Sequence, residues 1–277
     1  MTIALIVRAE KERMSSMTSL QLIVTTRQQM ARIAPAVAMV SVAVLASTIT
    51  VSAQQAARGF VTLNGGYQAT STDFTDNIVF TKFVEEGDLD ADYGLGGGPL
   101  LDMGGGVRLW RNLAVGVAVS AFGKDDDAGV TARVPHPFFF DRDRQISGSQ
   151  AGMRREETAV HVQAIWIVPV NGALEVSVFG GPTFFDITQD LVTGVLFTQA
   201  YPFDTATFTG TTTGRQSASK VGFNVGADVS VYFFGHIGVG WLARFSRATI
   251  DLPSQDGGTV AVETGGFQTG GGLRLRF

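Results

Sequence analysis

The chain has 277 residues, 34 of them glycine and 20 phenylalanine, with no cysteine and a formal charge of −4. The absence of cysteine excludes a disulfide framework and a thiolate zinc site. The first 53 residues hold five of the 21 Lys and Arg and two of the 25 Asp and Glu, which leaves the remainder at −7; this argues against nucleic acid as the partner, because phosphate needs a basic face.

The chain opens on an address. Arg27 and Arg32 precede an apolar stretch from Ala36 to Leu45, and Val51-Ser52-Ala53 puts small residues at the −3 and −1 positions. That order is the order of a secretory signal peptide, with cleavage expected after Ala53. A membrane anchor fits less well: the apolar run is short, Ser47, Thr48 and Thr50 interrupt its end, and no positive cluster follows. The stretch before Met30 is explained if translation starts at Met14, Met17 or Met30. Residues 1–53 are expected to be absent from the mature protein, and residues 54–277 to be its barrel domain.

From Gly59 onward the apolar pattern has period two, the signature of strands. Val61, Leu63 and Tyr67 alternate with Thr62, Asn64 and Gln68. Leu101, Met103, Val107 and Leu109 alternate with Asp102, Gly104, Gly106 and Arg108. Leu113 to Val119 alternate with Ala114 to Ser120. Val160, Val162, Ala164 and Trp166 oppose His161 and Gln163. Leu174, Val176, Val178 and Phe184 oppose Glu175, Ser177 and Thr183. Val221 to Val229 oppose Gly222, Asn224, Gly226 and Asp228. Ile237, Val239, Trp241, Ala243 and Phe245 oppose two glycines, Leu242 and Arg244. Leu273, Leu275 and Phe277 close the chain opposite Gln268, Gly270, Gly272, Arg274 and Arg276. These are eight strands of about ten residues or more, the length that crosses a bilayer at a tilt.

Short connections fall at Arg111-Asn112, 169–172 and 234–236, and long ones at about 70–98, 124–156, 186–218 and 249–263. Strict alternation of short and long predicts an all-β, eight-stranded, antiparallel up-and-down transmembrane barrel, with both ends on the short-turn, periplasmic side. Ten strands is the alternative, if one long loop hides a spanning hairpin. A soluble β-sandwich would alternate too, but the small and charged face cannot fill a dry core between sheets. Aromatics also gather at two levels. Trp110, Trp166, Phe233 and Phe277 lie near the short turns; Tyr67, Phe184, Phe223, Phe245 and Phe267 lie toward the long loops. Interfacial girdles look like this.

On these residues the chain resembles the small outer-membrane β-barrels, the OmpA/OmpX-like and OmpW-like group, from about Gly59 to Phe277. The last strand carries the most specific match. Leu273, Leu275 and Phe277 fit the terminal signal that, in that group, the barrel-assembly machinery reads. The resemblance implies the cell outer membrane as the location. With nothing after the barrel in the sequence, the peptidoglycan-binding domain of full OmpA-type proteins is expected to be missing. The resemblance leaves the action open, because the group is functionally mixed.

The glycine clusters at 96–98, 104–106 and 270–272 are followed by no helix, so they do not read as phosphate loops; inward glycines in a narrow barrel make room for long neighbours. Inward Asp102, Arg108, His161, Glu175, Asp228, Arg244, Arg274 and Arg276 mix signs, which predicts an internal polar network plugging the barrel. Within it Asp228 and Arg244 are expected to meet diagonally, and Arg108, Glu175, Arg274 and Arg276 to share the periplasmic end. His161 could join Glu157 and Glu175 as an acid–base group, although a member of the network is the plainer reading. The three histidines, His136, His161 and His236, spell no metal site. Asp125-Asp126-Asp127 and 254–258 read as solvated runs rather than calcium loops. His136, Phe138, Phe139 and Phe140 form an outer-loop patch that either folds over the barrel mouth or contacts lipid or a partner. The expectation is a non-enzymatic, monomeric, cofactor-free surface protein in outer-membrane lipid, with an unidentified extracellular ligand. A narrow channel for small or apolar solutes is the second reading, and a lipid-modifying enzyme the third.

Overall fold

The computed structural model describes residues 58–277 except 171, 234, 255 and 256. The expected leader, 1–53, lies outside the described residues. Ten strands follow in order: β1 (Gly59–Ala69), β2 (Thr72–Lys82), β3 (Glu85–Leu95), β4 (Gly98–Trp110), β5 (Leu113–Pro135), β6 (Asp143–Pro169), β7 (Leu174–Gln199), β8 (Ala206–Phe233), β9 (Ile237–Pro253) and β10 (Thr259–Arg276).

Eight of them close a ring. Antiparallel ladders join β1 to β4, then β4 through β10 in sequence without β2 or β3, and β10 returns to β1. The seam runs from Phe60↔Arg276 to Ala69↔Phe267. It is tied below by Gly59 and Phe277, whose backbones exchange hydrogen bonds at 2.8 and 2.9 Å. A closed ring leaves no backbone edge in hydrocarbon, which is what permits strands to span a bilayer.

The predicted long loops are mostly strand. β5 and β6 stay paired up to Pro135↔Asp143, and β7 and β8 up to Gln199↔Ala206. The chain between β1 and β4 contributes the β2–β3 hairpin, which does not enter the ring. The β4–β5 ladder ends at Leu100↔Phe122, and β3 takes over that edge of β5 from Tyr93↔Ala128 to Asp88↔Arg133. The outward side of β3 carries Glu86, Asp88, Asp90 and Asp92, a face that lipid rejects and water accepts.

The wall is apolar outside only over its lower part. Trp110, Trp166, Trp241, Leu273 and Phe277 are exposed there, and Tyr67, Phe184, Phe223 and Phe267 mark the upper rim of the belt. Above that rim the interior becomes a dry core. Leu89, Ile187, Leu191, Ile250, Leu252 and Val262 are buried in it, with Tyr93 stacked on Phe74 at 4.6 Å between ring centres. A second, smaller apolar cluster sits low in the barrel, where Ile165, Ile167, Phe179 and Leu242 meet Phe60.

Candidate functional site

Two places hold chemistry: the polar filling of the ring and the tip of the outer extension. The filling begins at the periplasmic end. Arg108 Nη2 donates to Glu175 Oε2 at 3.1 Å, and Arg276 Nη1 lies 3.8 Å from the same oxygen. The Arg276 guanidinium also covers the Tyr232 ring at 4.0 Å.

Arg274 does not join this group, although its sequence position suggested it. It pairs instead with Asp228 and donates to Asn64 Oδ1 at 2.6 Å. The reason is a glycine. Arg274 on β10 reaches Asp228 on β8 by crossing β9 at Gly240, where a methyl group would stand 2.6 Å from Arg274 Nε. The expected diagonal pair of Asp228 and Arg244 is not formed. Arg244 spans the lumen to Asp102, Nη2 to Oδ2 at 2.7 Å, and Asn64 Nδ2 donates to the other oxygen of Asp102 at 2.9 Å. Both partners of this pair are almost wholly buried, at 1 % and 3 % side-chain exposure. Burial of that depth is tolerated only for ions that are paired and hydrogen-bonded.

Higher up, neutral amides carry the network. Arg244 Nε donates to Gln268 Oε1 at 2.6 Å, and Gln268 Nε2 to Gln68 Oε1 at 2.6 Å. Glu157 accepts from Thr264 Oγ1 at 2.6 Å and faces Arg155 at 3.4 Å. Gln68, Gln268, Asn64, Arg155 and Thr264 were not singled out from the sequence. For Asn64, Gln68 and Gln268 the inward register of their strands was the available signal; Arg155 fell in a stretch read as a loop and Thr264 outside the strands assigned.

His161 is fully buried between two hydroxyls, Ser120 Oγ at 3.0 Å from Nε2 and Thr183 Oγ1 at 2.9 Å from Nδ1. Glu157 and Glu175, its suggested carboxylate partners, are engaged elsewhere. A hydroxyl and an imidazole therefore meet, but in the barrel interior and away from lipid. A cavity of about 60 Å³ lies below this level, beside Asn64, Asp102, Asp228, Arg244 and Arg274, with room for roughly four waters. The Gln68–Gln268–Glu157 layer and then the dry core lie above it.

The outer tip gathers three turns. Between β5 and β6, His136 is buried, and its Nδ1 accepts the amides of Phe138 and Phe139 at 3.1 and 3.2 Å. That double acceptor tightens the turn and throws Phe138, Phe139 and Phe140 outward, at 68, 55 and 74 % exposure. The Phe138 ring meets the edge of Phe203, from the β7–β8 turn, at 5.4 Å. Arg142 pairs with Asp204 at 3.2 Å, and Glu85, the first residue of β3, accepts the Asp141 amide at 2.8 Å. The patch does not fold over the barrel mouth, because Arg144 and Ile146 below it already close the core.

Among the described residues no group of His, Asp and Glu could hold a metal ion. Asp126 pairs with Lys124 at 2.7 Å, and Asp127 accepts the Gly152 amide at 3.3 Å. Part of 254–258 lies outside the described residues.

No family model and no curated protein matches the chain. Among solved structures it is similar to Neisserial surface protein A (10 % identity, covering 79 % of this chain and 97 % of that one, TM-score 0.41). It is also similar to OprG, an outer-membrane protein of Pseudomonas aeruginosa (9 % identity, 80 % and 97 % covered, TM-score 0.40). A third is the outer-membrane protease OmpT of Escherichia coli (9 % identity, 83 % and 100 % covered, TM-score 0.45). The closed eight-stranded ring with its apolar outer belt makes this chain, on its own geometry, a transmembrane β-barrel of the outer-membrane type.

Proposed function

We propose that the chain is a non-enzymatic, monomeric outer-membrane barrel that conducts nothing and acts through its outer tip. One observation carries the reading: the small cavity among the lower ion pairs is closed off above by the amide layer and then by a dry core, while the tip leaves three phenylalanines uncovered. An eight-stranded ring is just wide enough for its own side chains. The apolar belt supports outer-membrane lipid as the surrounding partner. Leu273, Leu275 and Phe277 lie along the outward face at the seam, which suits the proposed role of the last strand in assembly. His161 is buried between the neutral hydroxyls of Ser120 and Thr183 inside the ring, which favours the non-enzymatic reading over a lipid-modifying one.

Single-channel recording of residues 54–277, refolded into a planar bilayer, tests the plugged barrel. The expected outcome is a silent membrane, with heat-modifiable migration showing that the barrel has folded. Discrete conductance steps that disappear when bulk is added at Gly116 or Gly226 would overturn it in favour of a narrow channel.

A further inference from the structure

The tip is shaped for a particular contact. Its three turns each present aromatic or aliphatic groups to solvent. Val84 and Tyr201 stand out even further than the three phenylalanines, at 89 and 85 % exposure. The turns are held in place rather than loose. They are joined by the Phe138–Phe203 edge contact, the Arg142–Asp204 pair and the Glu85 bond to the Asp141 amide. Four non-glycine residues in them, Phe83, Val84, Asp141 and Phe203, have φ between 52° and 72°. For a β-branched valine that backbone is strained, and strain of this kind persists only where the surroundings impose it.

Charge narrows the occupant. Glu85, Glu86, Asp141, Asp143 and Asp204 stand around the aromatic groups. Arg142 pairs with Asp204 and lies 5.6 Å from the centre of the Phe139 ring, and Lys82 lies 5.6 Å from that of Phe83. The rim is therefore acidic on balance, and among the described residues the faces of Phe138, Phe140 and Tyr201 carry no cation of the tip's own. An acidic rim repels an anionic surface. Acidic groups beside exposed aromatic faces attract quaternary ammonium. Aromatic groups exposed at the summit fit the headgroup level of a bilayer, where amphipathic rings settle. Height narrows it again. Twelve residue steps of β5 separate Gly123 from Pro135, which at strand rise and barrel tilt puts the tip about 30 Å above the belt. The barrel's own bilayer is out of reach.

Resting on the reading that the protein acts through its tip, we infer that the tip inserts into the interface of an apposed zwitterionic bilayer bearing choline headgroups. Phe138, Phe139, Phe140, Val84 and Tyr201 enter it, and the acidic rim faces the ammonium layer.

The test uses the folded barrel in nanodiscs and separate vesicles of brominated phosphatidylcholine. The native tryptophans, Trp110, Trp166 and Trp241, lie in the barrel belt, so Phe139→Trp adds a reporter that only the acceptor vesicles can quench. Expected are co-flotation with the vesicles, quenching at position 139, and a loss of binding of at least about tenfold in the triple variant Phe138→Ser, Phe139→Ser, Phe140→Ser. Tyr201→Ser, in a different turn, should weaken binding less, and replacing a third of the vesicle lipid with an anionic one should weaken it too. Heat-modifiable migration verifies that each variant is folded. Absent co-flotation, binding that survives the triple variant, or binding that rises with anionic lipid would overturn the inference. So would nanodiscs that pair through their tips without vesicles, which would make a second copy the occupant. A conducting barrel that still binds vesicles would overturn the plugged reading and leave this inference standing; a silent barrel that ignores vesicles would overturn this inference alone.

Discussion

The lower and upper halves of the barrel wall follow one alternation and opposite polarities. Along β5 the outward residues Leu113, Val115, Val117 and Val119 give way to Asp125, Asp127, Thr131 and Arg133. The inward residues change in the other sense, from Gly116, Ala118 and Ser120 to Ala128, Val130, Ala132 and Val134. The ladder continues across the change, and what differs is the solvent outside. Facing lipid, the wall keeps its apolar side outward and satisfies polar groups within. Facing water, it turns the apolar side in and buries it as a soluble protein does.

The largest expected effect comes from breaking the lower filling. Arg244→Ala leaves Asp102 buried without its cation, a loss of about 3–5 kcal/mol; the urea midpoint of the barrel should fall, and adding Asp102→Asn should restore part of it. Leu252→Ala opens a void in the dry upper core and should cost about 2–5 kcal/mol. Its signature is different: amide exchange should rise in the outer strands while heat-modifiable migration of the ring stays intact. The polarity change itself can be tested by one substitution at two heights on the same outward face of β5. Val117→Arg, in the belt, should cost about 2–4 kcal/mol. Thr131→Arg, in water, should change stability by no more than about 0.5 kcal/mol.

The smallest effect is one of pH and belongs to the upper half alone. Burial holds the Tyr93 phenol above its ordinary value of 10.0, with the Val192 amide donating to its oxygen. The folded state keeps this proton where the unfolded state releases it. Stability is therefore unaffected below pH 10 and declines above it. Alkaline titration should loosen the outer strands before the ring, and Tyr93→Phe should remove this contribution.

The eight ring strands and their directions, the belt and the inward register of the charged residues were legible in the sequence, because period two needs no knowledge of neighbours. The partners of those charges were not legible. Arg274 bypasses its own end of the barrel to reach Asp228 only because Gly240 leaves the path open, and Arg244 takes Asp102 from across the lumen. The upper core escaped for a related reason. Residues such as Val130, Ala132 and Ile187 sit in stretches whose outward positions are polar, so at barrel scale they resemble loops until β3, β5, β7 and β9 bring them together. Periodicity by itself determined that this chain makes a barrel and which side of each strand faces lipid, since those follow from the solvent on the two faces. Which charge meets which, where the lipid pattern stops, and that three distant turns form one aromatic tip were decided by ring closure, which sets residues from different strands at the same height.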